Sequence, residues 1–260
     1  MPVSCIVNAS VIGGISRDIR HAQWCRTRHR QQLEFTHGAS TTNDETMINL
    51  GIFAKAPISG HVKTRLAPAI GLDAAARLHA RMIERTLTLA HEAGLEAVTL
   101  WTWPQVTDPH IIEQCRQHGF ALTVQQGQNL GQRMAYACEQ ASPQLIIGTD
   151  CPGITAQHLR RAADDLKAGA QLVLTPALDG GYVLIGLRQP RPEIFQNITW
   201  GSAEVLAQTR TTIRKLDLQA IEYEPLWDVD RPEDLIKLRE AFPVLAAKLL
   251  AEITVDNAFT

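Results

Sequence analysis

No two cysteines of this 260-residue chain form a C-x-x-C pair; Cys5, Cys25, Cys115, Cys138 and Cys151 are scattered singly. That spacing argues against a disulfide framework and against a cysteine zinc site, and it suits a reducing, cytoplasmic compartment. No apolar run approaches the roughly 18 residues needed to span a bilayer. The N-terminus lacks a basic segment followed by a sustained apolar one, so no secretory signal is expected. A formal net charge of only −2 provides no global field for nucleic acid or an anionic membrane, and neither is expected as a partner. G-x-G-x-x-G is absent. The P-loop's glycine before Lys-Thr is absent too, because Val62 precedes Lys63-Thr64. The nine histidines show no H-E-x-x-H or other metal spacing and are mostly expected at the surface.

The hydrophobic share, 45%, is that of a globular protein with a full core. Residues 1–46 stand apart. Arg17, Arg20, Arg26, Arg28 and Arg30 alternate with Gln, His and Thr without a period of 2 or 3.6. The stretch reads either as a poorly ordered tail or as an upstream mis-start, with Met47 as the true first residue.

From Met47 the pattern alternates strand and helix. Strands are expected at Ile48–Phe53, Ala97–Trp101, Phe120–Val124, Gln144–Gly148, Leu172–Thr175, Tyr182–Leu187 and Ile213–Asp217. Helices are expected at Asp73–Ala90, Pro109–Gln117, Gly131–Gln140, from a Thr155 cap to Lys167, from about Ser202, and after Pro232 and Pro243. In the first helix Ala75, Leu78, Met82, Leu87 and Ala90 share a face, and Arg77, Arg81, Glu84 and Arg85 lie elsewhere. Such alternation implies one α/β domain over about 47–255, with a mostly parallel, Rossmann-like sheet covered by helices on both faces. No internal repeat or linker interrupts it.

In such sheets ligands bind beyond the carboxyl ends of the strands. Asp150, at the end of the apolar run Leu145-Ile146-Ile147, is therefore the leading candidate for a metal-binding carboxylate. The loop after the first strand carries Lys55, Gly60, Lys63 and Arg65. Glycine admits close backbone approach and the cations neutralise charge, so the loop suits phosphate, although it also reads as a solvated basic loop. Asp179 before Gly180-Gly181 reads as a turn residue or as an acceptor-side group. Asp230-Arg231-Pro232-Glu233 reads as a capping box, which leaves Asp228 without a structural reason. Mg²⁺ or Mn²⁺ in phosphate-transfer sites takes one or two carboxylates plus substrate oxygens, which makes Asp150, Asp228 and Asp230 the candidate metal ligands. The segment Gly127–Met134, with Gln132, opens a helix whose N-terminus suits a base or phosphate, or is an ordinary loop with Met134 in the core. Trp200 reads as an acceptor wall or as packing. Cys151 has no neighbouring base and reads as a small buried residue.

Together these segments resemble a known family. Phe53-Ala54-Lys55-Ala56-Pro57…Gly60-His61-Val62-Lys63-Thr64-Arg65-Leu66 is similar to the opening motif of a bacterial group of GT-A-type glycosyltransferases. That group was long catalogued as a domain of unknown function and is partly described as arsenosugar-biosynthesis glycosyltransferases. Leu130–Met134, Gly148–Pro152, Asp179–Leu187 and Trp227–Leu235 extend the likeness over about residues 47–240. The same architecture is similar to nucleotidyltransferases such as phospholactate guanylyltransferase and the molybdenum-cofactor guanylyltransferases. The resemblance implies phosphate roles for Lys55, Lys63 and Arg65, and metal roles for Asp150 and Asp230. It implies a nucleotide-activated donor, most simply a nucleotide sugar, and a small-molecule acceptor on the side of Gly180, Gly181 and Trp200, with Asp179 as acceptor ligand or general base. Gly51 and Phe53 are expected to leave room for the base. Two departures stand out: Asn129 where an acid precedes Leu-Gly, and one strand-end aspartate in place of Asp-x-Asp. The alternatives to a glycosyltransferase are a nucleotidyltransferase releasing pyrophosphate and a nucleotide-binding protein without catalysis.

Overall fold

The computed structural model describes residues 47–95 and 97–254; the reading of residues 1–46 lies outside them. Among the described residues seven strands form one sheet in the order β3-β2-β1-β4-β6-β5-β7. They are β1 (Asn49–Lys55), β2 (Ala97–Trp103), β3 (Ala121–Val124), β4 (Gln144–Ile147), β5 (Leu172–Pro176), β6 (Tyr182–Leu187) and β7 (Ala220–Glu222). All pairings are parallel except those of β6, which runs antiparallel to both β4 and β5. The helices are α1 (Ala67–Ile70), α2 (Leu72–Glu92), α3 (Pro109–His118), α4 (Leu130–Gln140), α5 (Ala156–Lys167), α6 (Val205–Lys215), α7 (Pro232–Ala241) and α8 (Pro243–Leu249). Among the described residues, no helix is long and apolar enough to cross a membrane.

Strand β1 shows how the sheet is clad. Leu50, Ile52 and Ala54 face one side, with Ile83 and Leu87 of α2 and Leu159 and Leu166 of α5. Phe53 faces the other, with Trp101, Met134, Ile185 and Leu206. β4 is buried along its whole length, as a central parallel strand covered twice must be. Each fully buried Leu or Ile there contributes about 1.5–3 kcal/mol. A third cluster, with Leu78, Met82, Leu235, Leu238 and Leu249, seats α7 and α8 against α2.

Two expected elements differ. Ile213–Asp217 is not a strand: Leu206, Thr209 and Ile213 form the buried stripe of α6, a helical spacing. The last strand is instead β7, exposed at all three residues, so no alternation marks it and only backbone pairing with β5 makes it. That helix begins at Val205 rather than Ser202. Before it, Ser202 Oγ donates to the Thr199 carbonyl at 2.7 Å and accepts from the Glu204 amide at 3.2 Å, closing a turn.

Candidate active site

The carboxyl ends of β1 and β4 and the start of β6 open onto a cleft of about 770 Å³. Its walls include Phe53, Met134, Ile147, Tyr182 and Trp200, and its polar rim includes Arg65, Asp179, Asp228, Asp230, Arg231 and Lys237. Beside it lies Asp150, just past β4. Asp150 Oδ1 pairs with Lys63 Nζ at 2.8 Å; the lysine side chain is 2% exposed and the aspartate side chain 44%. Lys63 Nζ also donates to the Val229 carbonyl at 2.5 Å. The lysine backbone is left-handed, φ 49, a conformation that costs a non-glycine residue about 1–2 kcal/mol. Val229 N in turn donates to the Asp150 carbonyl at 2.9 Å. One buried cation therefore ties the loop after β1, the end of β4 and the segment before α7 into a single unit.

His79 on α2, 4% exposed, stands behind this unit. Its Nε2 lies 3.0 Å from the Lys55 carbonyl. A carbonyl only accepts, so Nε2 is the protonated nitrogen. Nδ1 has no hydrogen-bond partner among the described residues and faces Asp150 Oδ1 across 3.6 Å. Arg85, also on α2, donates to the carbonyls of Pro152 and Ile154, each at 2.8 Å, and so fixes the loop beyond Asp150. Neither residue was expected in a site. His79 is one polar position inside an apolar stripe, between Ala75 and Met82, and that interruption was the available signal. Arg85 stood off the apolar face and gave none.

The charges are unevenly matched. Burial pushes the Asp150 carboxyl up, but Lys63 beside it, with the His79 ring nearby, outweighs this and holds it well below the usual range. Its contacts to Lys63, His79 and Thr149 all fall on Oδ1; Oδ2 has no hydrogen-bond or ion-pair partner among the described residues. Asp228 goes the other way, from 3.8 to about 7, through burial and then the nearby carboxylates Asp150 and Asp179, with Lys63 opposing. Asp230 does not cap α7. The Asp234 carboxylate does that, accepting from the amides of Asp230 and Arg231 at 2.9 and 2.7 Å. The Asp230 side chain is thereby freed to pair with Arg65 at 2.7 Å. Burial first and Asp228 second push the Cys151 thiol up to about 12, which keeps it protonated and unreactive.

The other expected residues separate. Asp179 lines the cleft and its Oδ1 accepts from the Gly181 amide at 2.9 Å, the turn geometry of the structural reading. Trp200 lines the cleft and packs edge-on to Tyr182 with centroids 6.3 Å apart. A Cβ on Gly131 would meet Trp200 Nε1 at 2.6 Å, so that glycine allows the indole to seat. Lys55 and Gly60 are exposed outside the cleft lining, Gly60 in a turn at φ 79. Gln132 lines a separate depression, and its side chain accepts from the Gln128 amide at 2.8 Å. Asn129, found where an acid was expected, caps α4 by accepting from the Gln132 amide at 2.9 Å. Gly51 leaves no room for a base: a Cβ there would lie 2.8 Å from Gln144 Nε2, so the space is already filled, and only Phe53 faces the cleft.

Because Asp228 holds a proton in the fold between pH 3.8 and about 7 that the unfolded chain has released, stability falls as pH rises through that window. Asp228→Asn removes the penalty. In chelator-treated protein the variant is expected to melt higher than the parent at pH 8, by up to about 4 kcal/mol, with the difference vanishing near pH 4. Calorimetric melts at the two pH values check it, and equal differences at both refute it.

Residues 76–202, just under half of the chain, match the model of a family described as "Uncharacterized protein conserved in bacteria (DUF2064)". No curated protein sequence matches the chain significantly. Among solved structures, a protein from Desulfovibrio desulfuricans G20 assigned to the nucleotide-diphospho-sugar transferases is 28% identical. Its TM-score is 0.68, and the match covers 79% of this chain and 94% of that one. A nucleotidyl transferase from Methanothermobacter thermautotroptrophicus is 15% identical at TM-score 0.50, covering 76% and 98%. A 4-diphosphocytidyl-2C-methyl-D-erythritol synthase from Anaerococcus prevotii is 10% identical at TM-score 0.50, covering 75% and 96%. The last two share the fold alone. The chain thus has the α/β fold of nucleotide-diphospho-sugar transferases and nucleotidyltransferases, and its central half matches the bacterial family of that description.

Proposed function

We propose that the chain is a metal-assisted transferase that takes a group from a nucleotide-activated donor, a nucleotide sugar, to a small-molecule acceptor. The observation that carries this reading is Asp150 itself. One oxygen is fixed by a buried lysine and the other is uncommitted, beside a cleft that Asp228 and Asp230 also line. Hard oxygen donors suit Mg²⁺ or Mn²⁺, and the raised proton affinity of Asp228, set by burial first and by the carboxylates of Asp150 and Asp179 second, is a penalty that a cation would relieve. Among the described residues, no three His, Cys, Asp or Glu side chains could hold an ion by themselves. At most two carboxylates would then serve as protein ligands, Asp150 with Asp228 or Asp230, and diphosphate oxygens would complete the shell. A bound divalent ion supplies fixed positive charge for the departing diphosphate.

In the transfer step an acceptor hydroxyl attacks the anomeric carbon, and the carbon–oxygen bond to the nucleoside diphosphate breaks. The electron pair leaves on the diphosphate, and the hydroxyl proton passes to Asp179, which is exposed at the cleft. Arg65, whose side chain is 63% exposed, neutralises the leaving group as its charge grows. Lys63 is committed to Asp150 and Val229, and its part is to hold that carboxylate.

The nucleotidyltransferase reading is supported by the fold likeness to enzymes of that kind. Product identity separates the two: a nucleoside diphosphate for glycosyl transfer, pyrophosphate for nucleotidyl transfer. A thermal-shift screen of the full chain with nucleoside diphosphates, triphosphates and nucleotide sugars, with and without Mn²⁺, tests both. A ligand at about 100 times its dissociation constant adds roughly 2.7 kcal/mol, or about 5–10 °C for a domain of this size. A Mn²⁺-dependent shift with one diphosphate is expected. Preference for a triphosphate favours the second reading, and no shift with any nucleotide removes both.

A further inference from the structure

At the start of α7 the cleft carries two cations that the proposed donor site does not use. Arg231 and Lys237 both line it. Neither has a carboxylate within 4.0 Å among the described residues, whereas Arg65 at the same rim is paired with Asp230. Asp234, on the same stretch of wall, is engaged in capping: its Oδ2 accepts from two backbone amides. Lys237 is held against an aromatic face rather than swinging free. Its Nζ lies 4.3 Å from the centroid of the Trp227 ring, and Trp227 is itself backed by Phe242 at 6.2 Å. A cation over an aromatic ring is stabilised without being neutralised, so it still attracts an anion. Arg231, at the helix N-cap, adds the planar fork that grips a carboxylate or phosphate through two parallel hydrogen bonds.

The remaining wall differs in kind. Leu178, 63% exposed, shares the cleft with Tyr182 and Trp200. The cleft therefore combines apolar lining with two cations that no carboxylate pairs within 4.0 Å among the described residues, and the carboxylates of Asp228 and Asp230 line it too. A neutral sugar would leave both cations unanswered. A second metal ion would be repelled by them.

We propose that Arg231 and Lys237 form an anion-reading subsite, and that the acceptor is a small hydroxylated molecule bearing a carboxylate or a phosphate monoester. The word acceptor rests on the transferase reading above; the anion subsite does not.

The test is calorimetric titration of the full chain with glycerol 3-phosphate, glycerate and glycerol, and separately with Mn²⁺ and the nucleoside diphosphate that the thermal screen selects. Saturable binding of at least one anion is expected and none of glycerol; the tighter of the two anions identifies the group as phosphate or carboxylate. Arg231→Gln and Lys237→Gln should each weaken that anion about tenfold or more, with nucleoside diphosphate affinity unchanged. Neither side chain donates a hydrogen bond to any of the described residues, so neither variant is expected to unfold. Anion binding that is absent, or equally tight in both variants, overturns the proposal. So does a loss of nucleoside diphosphate affinity in the variants, which would place the two cations on the donor. Retained anion binding in a protein that binds no nucleotide would uphold the subsite and remove the transferase reading instead.

Discussion

Asp150→Asn is expected to lower turnover at least about a hundredfold while the protein stays folded. Removing even an outer-sphere partner of a metal ligand costs about 10–100-fold, and Asp150 is proposed as a direct one. Asparagine keeps the shape and an acceptor oxygen for Lys63, so the network survives as a hydrogen bond. What disappears is the charge that compensates a lysine 2% exposed and the free oxygen offered to a cation. Removing one partner of a fully buried pair costs about 3–5 kcal/mol. The 44% exposure of Asp150 puts the cost here nearer 1–2 kcal/mol after solvent screening. Steady-state kinetics together with a thermal melt check both parts. A folded Asp150→Asn protein with full turnover, or with unchanged Mn²⁺-dependent nucleotide binding, removes Asp150 from the chemistry.

Gly180→Ala is expected to be the most damaging single methyl at the site. At φ 91 an alanine is strained. Its Cβ would also lie 2.2 Å from the Ala203 carbonyl oxygen and 2.7 Å from the Ala203 carbonyl carbon and Cα, all backbone atoms that cannot rotate aside. The contact has a purpose: the Gly180 carbonyl accepts from the Leu206 amide at 2.8 Å, docking the turn after β5 onto the first turn of α6. The expected loss is about 3 kcal/mol or more, or roughly 6–12 °C in melting temperature. Gly201→Ala is the matched control. Gly201 has a similar φ of 82 but nothing within 4 Å of its Cβ, so it should lose only the left-handed cost of about 1–2 kcal/mol. Equal losses in the two variants would show that the Ala203 contact carries no weight.

How much of this could be read from residues alone depended on whether a residue's neighbours in sequence were also its neighbours in space. Asp150 was legible because a carboxylate ending a buried strand has a defined address in any parallel sheet. β6 was legible to the residue, because Asp179-Gly180-Gly181 punctuates an apolar run. Lys63 was legible as a cation in a loop but not as a buried one. Its burial depends on Val229 and Asp150, 166 and 87 positions away, and on a left-handed backbone that its own sequence does not demand. The cap reading of Asp230 fails by one residue: Arg231 is the N-cap of α7, and Asp234, three positions on, reaches back to its amide. β7 was displaced because Ile213 looks like strand and Ala220–Glu222 does not; pairing along β5, not side-chain pattern, decides it.

Among the described strands β6 alone runs backward. A parallel β5-to-β6 connection would need a crossover running the full length of the sheet, usually a helix on one face. Because β6 runs backward, the connection is only the tight turn of residues 177–181, closed by the Gly181 carbonyl accepting from the Ala177 amide at 3.0 Å. That turn lies at the same edge as the ends of β1 and β4. The turn is itself pinned: Gly180 abuts the Ala203 backbone and accepts from the Leu206 amide at 2.8 Å, and the Leu178 amide donates to the Leu226 carbonyl at 2.9 Å. At the other end of the cleft Lys63 clamps three separate segments. Both ends of the cleft are therefore held by backbone and buried-charge contacts, which leaves exposed side chains such as Leu178, Asp179 and Arg231 as the positions where its lining can change without moving the frame.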